Sequence, residues 1–87
     1  MYEVIVRNTV EKAFFKLKKK NKKQLLIINK KVDELKINPH HYKNLKKPLQ
    51  HLKRVHIDKS FILLFSVDED NKTIYVEDYC HHDEAYQ

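Results

Sequence analysis

The chain ends DYCHHDEAYQ (78–87), ten residues that hold one cysteine, two adjacent histidines, three acids and two tyrosines. Several chemistries suit such a set. Cys80, His81, His82 and Asp83 are all competent metal ligands. Histidine is a general acid or base near neutral pH. Tyrosine, with an ordinary pKa of about 10, acts as a base only where nearby cations lower that value. Cys80 is either a nucleophile or a small buried residue. Against these stands a strand that simply runs out at a chain end, with one tyrosine packed on the sheet edge. The metal reading meets a geometric obstacle. Consecutive residues of a strand point to opposite faces, so these four converge on one ion only if a turn intervenes. A second ligand cluster would have to come from His40, His41 or His51. No metal and no other cofactor is expected.

A second constellation lies in LKRVHI (52–57). Strand alternation sets Lys53, Val55 and Ile57 on one face and Leu52, Arg54 and His56 on the other. A third is the lysine content. Lys18, Lys19, Lys20, Lys22 and Lys23 are nearly contiguous, and Lys43, Lys46, Lys47 and Lys53 follow later. Residues 1–59 carry 17 Lys and Arg against five acids, whereas residues 60–87 carry one Lys against seven acids. A basic body of this kind attracts polyanions, chiefly nucleic acid, at long range. The competing reading is a solvated helix face.

The elements that must position these groups follow from pattern. YEVIVR (2–7) is β-branched and aromatic and reads as a strand. Asn8-Thr9 can cap the next element, with Glu11 in its first turn. Val10, Ala13, Phe14 and Leu17 recur at helical spacing over residues 9–20. After a turn at Asn21, Leu25, Ile28, Val32 and Leu35 mark a second helix from Lys22 to Lys36, its stripe widened by Leu26 and Ile27. Asn38-Pro39 stops it, because the residue before proline disfavours the helical region. Residues 38–50 are a polar, basic connector with Leu45 and Leu49 as anchors. Strands follow at 52–57, at 61–67, where the run is apolar enough to be covered on both faces, and at 73–79. Asp68 to Lys72 makes the hairpin turn, with Asp and Asn as residues that tolerate the left-handed conformation.

The order β-α-α-β-β-β predicts an α+β fold, with a helical hairpin on one face of an antiparallel meander and the other face open to a ligand. One domain accounts for 87 residues. The single cysteine excludes an internal disulfide, and the absence of glycine excludes P-loops and dinucleotide-binding fingerprints. No apolar run is long enough to span a bilayer and MYEVIVRN lacks a signal-peptide plan, so a cytoplasmic protein is expected.

This order, with YEVIVR, the Lys-rich hairpin, DELKINP, NLKKPL, LKRVHIDKSFILLFSVDED and the tail HHD-x-x-Y, resembles the RelE/ParE superfamily of toxins over the whole chain, and most of all its archaeal RelE-type branch. The resemblance implies a metal-independent endoribonuclease that enters the ribosomal A site and cuts mRNA, a 2′-hydroxyl attacking the adjacent phosphate. It also implies an acidic, RelB-like antitoxin wrapped around the toxin in a hetero-oligomer. Carried onto this sequence, it makes Arg54 a phosphate clamp and His56 a clamp or proton-transfer group. It makes His82 a general acid or base, and Tyr86 a base or a stacking surface for RNA. The nine lysines named above would grip ribosomal RNA. The chain departs from the pattern at Ser60-Phe61-Ile62, where many relatives carry an arginine. ParE-like proteins keep the fold, lack the ribonuclease residues and target gyrase, so a gyrase-directed or catalytically decayed toxin is the second reading. A small basic nucleic-acid-binding module is the third.

Overall fold

The computed structural model describes residues 1–85, leaving Tyr86 and Gln87 outside the described residues. Strand β1 (Glu3–Val6) leads into helices α1 (Asn8–Lys20) and α2 (Lys22–Ile37). A single 3-10 turn at Pro39–His41 opens the connector. Strands β2 (Lys53–Ile57), β3 (Phe61–Asp68) and β4 (Thr73–His81) follow, and α3 (His82–Ala85) is the last element among the described residues.

The α+β arrangement expected from the pattern is present, with one addition. The sheet runs β1-β4-β3-β2, and only β2, β3 and β4 form the antiparallel meander. β1 joins β4 in parallel, from Glu3 opposite Thr73 to Val6 opposite Val76, so the sheet is mixed. Both helices pack on one face. Val10 of α1 with Ile28 and Leu35 of α2 meets Val55, Ile57, Leu63, Phe65, Ile74 and Val76 in one core. Fully burying one such side chain contributes about 1.5–3 kcal/mol.

The helix boundaries show which local signals decide them. α1 begins at Asn8, one residue earlier than the pattern suggests, and its capping position is Arg7, whose side chain makes no cap bond. Asn8 and Thr9 are therefore inside the helix and not its cap. Val10 N and Glu11 N donate instead to Arg7 O. Asn21 is the cap that works, because its Oδ1 accepts from Gln24 N at 3.1 Å. Along α2 the stripe of Ile28 and Leu35 is buried, but Leu26 is 68% exposed and does not widen it. In the connector Leu45 is half-buried, with its N–H donating to Leu52 O, whereas Leu49 stays exposed.

Two further details bear on the open face. The left-handed residue of the β3–β4 turn is Lys72 (φ 50°), not an Asp or Asn, and Asp58 (φ 56°) takes that conformation in the β2–β3 turn. Between Leu64 and Phe65 the β3–β4 register jumps from Asp78 to Val76, so Glu77 is skipped. This is a β-bulge, which lets one extra residue into a strand and re-aims its neighbours. Upstream of it Ile74 and Val76 face the helices. Downstream Tyr79 does, stacking on Phe61 at 5.2 Å and meeting Phe14 edge-on at 5.7 Å.

Candidate functional site

Alternation and register place Arg54, Leu64 and Asp78 in one row across the face away from the helices, and His56, Ile62 and Cys80 in the next. The middle of each row is apolar. Ile62 is fully buried and Leu64 nearly so, which gives the face a hydrophobic floor. Ile62 stands at the place where the superfamily pattern has an arginine. At the far end of the face the bulge aims Glu77 at Arg7 Nε (2.7 Å) and at Ser66 Oγ (2.8 Å). Arg7 also lies 4.5 Å over the ring of Tyr75. The Arg7 guanidinium, then the Ser66 hydroxyl, hold the Glu77 carboxyl below its ordinary value despite partial burial.

Arg54 and His56 do not stand on a bare strand. They line a shallow cleft at the outer edge of β2 together with Lys31, His41, Tyr42 and Lys43. Arg54 N donates to Lys43 O at 3.3 Å, tying the connector to this edge. Burial, then the neighbouring Glu34 carboxylate, raises the Tyr42 hydroxyl above its ordinary value, so it serves here as a donor and not as a base. It donates to Glu34 Oε2 at 3.3 Å. The cleft thus gathers three basic side chains and two imidazoles beside one strand edge.

His82 sits where β4 hands over to α3. Its N–H and its Nδ1 both address Ser60 O, at 2.9 and 3.1 Å, which fixes the ring against the β2–β3 turn. Its Nε2 lies 3.0 Å from Asp83 Oδ1. The turn that strand alternation demands of a metal site is therefore present, between His81 and His82, although Cys80 lies outside the group it gathers. Cys80 lies in the register row of His56, two residues before His82. Tyr86 lies outside the described residues.

No protein-family model matches the chain. Two full-length relatives do. An uncharacterised protein of Methanosarcina mazei is 57% identical over 86 residues, covering 99% of this chain and 100% of its own. A Methanocaldococcus jannaschii protein named "Putative toxin RelE4" is 53% identical over 87 residues, covering 100% of this chain and 93% of its own. The chain belongs to the RelE toxin family. Solved structures agree on the fold. The toxin–antitoxin complex RelBE2 of Mycobacterium tuberculosis superposes with a TM-score of 0.78 at 19% identity, covering 93% of this chain and 98% of that one. The YoeB–YefM complex of Staphylococcus aureus gives 0.79 at 17%, covering 94% and 98%.

Within this RelE-family chain the expected RNA-gripping lysines divide into three groups. Lys18, Lys19, Lys20, Lys22 and Lys23 are exposed at the α1–α2 tip. The next residue, Gln24, is buried and donates to Tyr79 OH at 2.9 Å. That bond holds the tip at the sheet end where the tail emerges. Lys43, Lys46 and Lys47 are exposed on the connector, and Lys43 reaches the cleft. Lys53 is different. Its ammonium donates to Tyr42 O (3.1 Å) and Asn44 Oδ1 (2.8 Å), closing the connector on β2 on the face away from Arg54. Sequence reading had no reason to place Lys31 and His41 at the site. Only the packing of α2 and the 3-10 turn beside β2 brings them there. No helix among the described residues is long and apolar enough to cross a membrane.

Proposed function

We propose that this protein is the toxin of a toxin–antitoxin pair and an endoribonuclease that cuts mRNA in the ribosomal A site. The observation that carries the reading is the β2-edge cleft, where Arg54 and His56 meet Lys31, His41 and Lys43. Full-length similarity to a protein named as a RelE toxin supports it.

The reaction follows from the residues. A base takes the proton of a ribose 2′-hydroxyl, whose oxygen attacks the adjacent phosphorus. The P–O5′ bond breaks, leaving a cyclic phosphate and a 5′-hydroxyl, and an acid protonates the departing oxygen. Arg54 holds the negative charge that gathers on phosphate, with Lys31 and Lys43 beside it. His56 and His82 supply the proton transfers, and Tyr86 joins them or stacks on a base. No step uses a metal. The tip and connector lysines bind ribosomal RNA without reading sequence.

An antitoxin is the expected partner. The two solved neighbours are toxin–antitoxin complexes. On this chain a groove over α1 and α2 has Val6, Phe14, Phe15 and Leu25 among its lining, with Lys12, Lys16 and Lys18 alongside. Its apolar floor and basic rim suit an acidic amphipathic segment. Phe15 is 65% exposed and adds to the uncovered apolar surface of this groove.

One observation favours a second reading. The buried Ile62 leaves the centre of the face without a cation, as in a toxin that binds a target without cutting RNA. Primer extension on a translated mRNA separates the two, using wild type and an Arg54→Ala/His56→Ala variant with and without ribosomes. Cuts at A-site codons that require ribosomes and vanish in the variant support the nuclease. Intact message beside a folded wild-type protein that still arrests growth supports the second reading.

A further inference from the structure

We infer that His81, His82 and Asp83 form a binding site for a divalent transition-metal ion of the zinc class, and that an ion held there blocks RNA cleavage. The binding part stands on geometry alone. The inhibition part rests on the nuclease reading above.

The handover from β4 to α3 breaks strand alternation between His81 and His82, so three consecutive side chains gather on one side. Each offers one donor atom, and the three atoms lie within 4.8 Å of one another. The two imidazoles stack at 4.6 Å between centroids. His81 Nδ1 is 3.5 Å from Asp83 Oδ2, and His82 Nε2 is 3.0 Å from Asp83 Oδ1. Zinc takes imidazole nitrogen and carboxylate oxygen at about 2.0–2.2 Å. Donors around one tetrahedral ion then stand about 3.4 Å apart. Asp83 is exposed and His81 half-buried, so both side chains have room to turn toward an ion beside His82.

The hydrogen bonds point to a cation. Ser60 O can only accept, so the His82 Nδ1 beside it carries the hydrogen in the neutral ring. Nε2 then turns a lone pair toward Asp83 Oδ1, itself an acceptor. His81 Nδ1 lies beside the same carboxylate and accepts a long bond of 3.3 Å from Asp83 N, which a bound ion would displace. Two imidazole nitrogens and a carboxylate gathered in this way offer a metal ion three donors. Anchoring one ring nitrogen on a backbone carbonyl is also how proteins orient metal-ligating histidines. Three protein ligands leave a position for water. Cys80 lies outside the group.

The consequence for activity is direct. The ion occupies Nε2 of His82, the atom that would carry the proton during cleavage, and adds no nucleophile to replace it. The site is therefore an off-switch set by free metal.

The test uses the full chain with Zn²⁺ as ligand, in competition with a chromophoric chelator, and Co²⁺ as a spectroscopic probe of four-coordination. Wild type should bind one ion. Losing even an outer partner of a metal site costs about tenfold or more in affinity, so His81→Ala and Asp83→Asn should each lose at least that, and Cys80→Ser nothing. In the ribosome cleavage assay, Zn²⁺ should suppress wild-type cutting by about tenfold or more, and chelation should restore it. Asp83→Asn should cut equally well with and without the same Zn²⁺. Wild type that binds Zn²⁺ no more tightly than the His81→Ala/Asp83→Asn double variant overturns the site. Metal binding without cleavage under any condition overturns the nuclease reading and the switch while the site stands. Cleavage indifferent to bound Zn²⁺ overturns the switch alone.

Discussion

Arg54 carries the largest share of the proposed chemistry, because it is the permanent cation on the open face of β2. Arg54→Ala should lower the cleavage rate by about a hundredfold, the scale seen when one preorganised charge donor is removed. Arg54→Lys should recover little of it, since an ammonium does not reproduce the guanidinium fork. Rates measured on a ribosome-bound message check both. The lysines behave differently. Replacing Lys19 and Lys20 together should weaken ribosome association and flatten its salt dependence, with the cut positions unchanged, because phosphate contacts position without reading sequence. Alternation alone set Arg54 and His56 on the outward face of β2, whereas their proposed roles and that of His82 came from the resemblance. The tautomer of His82 was not legible, because it depends on Ser60 O, twenty-two residues away.

Elements test the packing account. Phe65 is fully buried at the centre of the core, and Phe65→Ala should cost about 3–5 kcal/mol in a denaturant titration. Asn21→Ala should cost about 1 kcal/mol through the lost bond to Gln24 N. Asn8→Ala should cost much less, because Asn8 caps nothing. The order of elements was readable from periodicity, and so was the split of β2 into buried Val55 and Ile57 against Arg54 and His56. What sequence could not supply was long-range pairing. Nothing local in EVIV announces a parallel partner seventy residues on, and nothing in TIYVEDYCH announces which residue the ladder will skip. The cleft was hidden for the same reason, as Lys31 and His41 reach β2 only through the packing of α2 and the turn after it.

At the scale of the molecule, Glu69 ties three distant segments together. It accepts from Tyr2 OH (2.8 Å), meets His40 Nε2 (2.7 Å) and pairs with Lys72. Those partners, Lys72 foremost, pull its carboxyl down from 4.5 to about 2. A depressed folded-state value means stability that is present above pH 4.5 and is lost as pH falls toward about 2. Glu69→Gln should therefore flatten the acid limb of the stability curve between those values by lowering the neutral plateau toward the acid value, by an amount kept small because the group is exposed and screened. Thermal unfolding across that range checks it. The same clamp fixes the start of β1 to the β3–β4 turn, at the end of the sheet opposite the tail.

The skipped residue in β4 has a meaning in terms of chain length. The ladder does not count Glu77, so the strand is one residue longer than its pairing needs. A deletion at 77 removes the surplus and keeps every side chain from Asp78 to His81 on its present face. It gives up only the links to Arg7 and Ser66. A deletion at Tyr79 is different, because it removes an aromatic the core uses and leaves Glu77 and Asp78 competing for one place in the ladder. The shortened protein lacking Glu77 should stay soluble and melt in one cooperative step, and the one lacking Tyr79 should not. The bulge is thus a point in this strand where a residue can be lost without moving the tail.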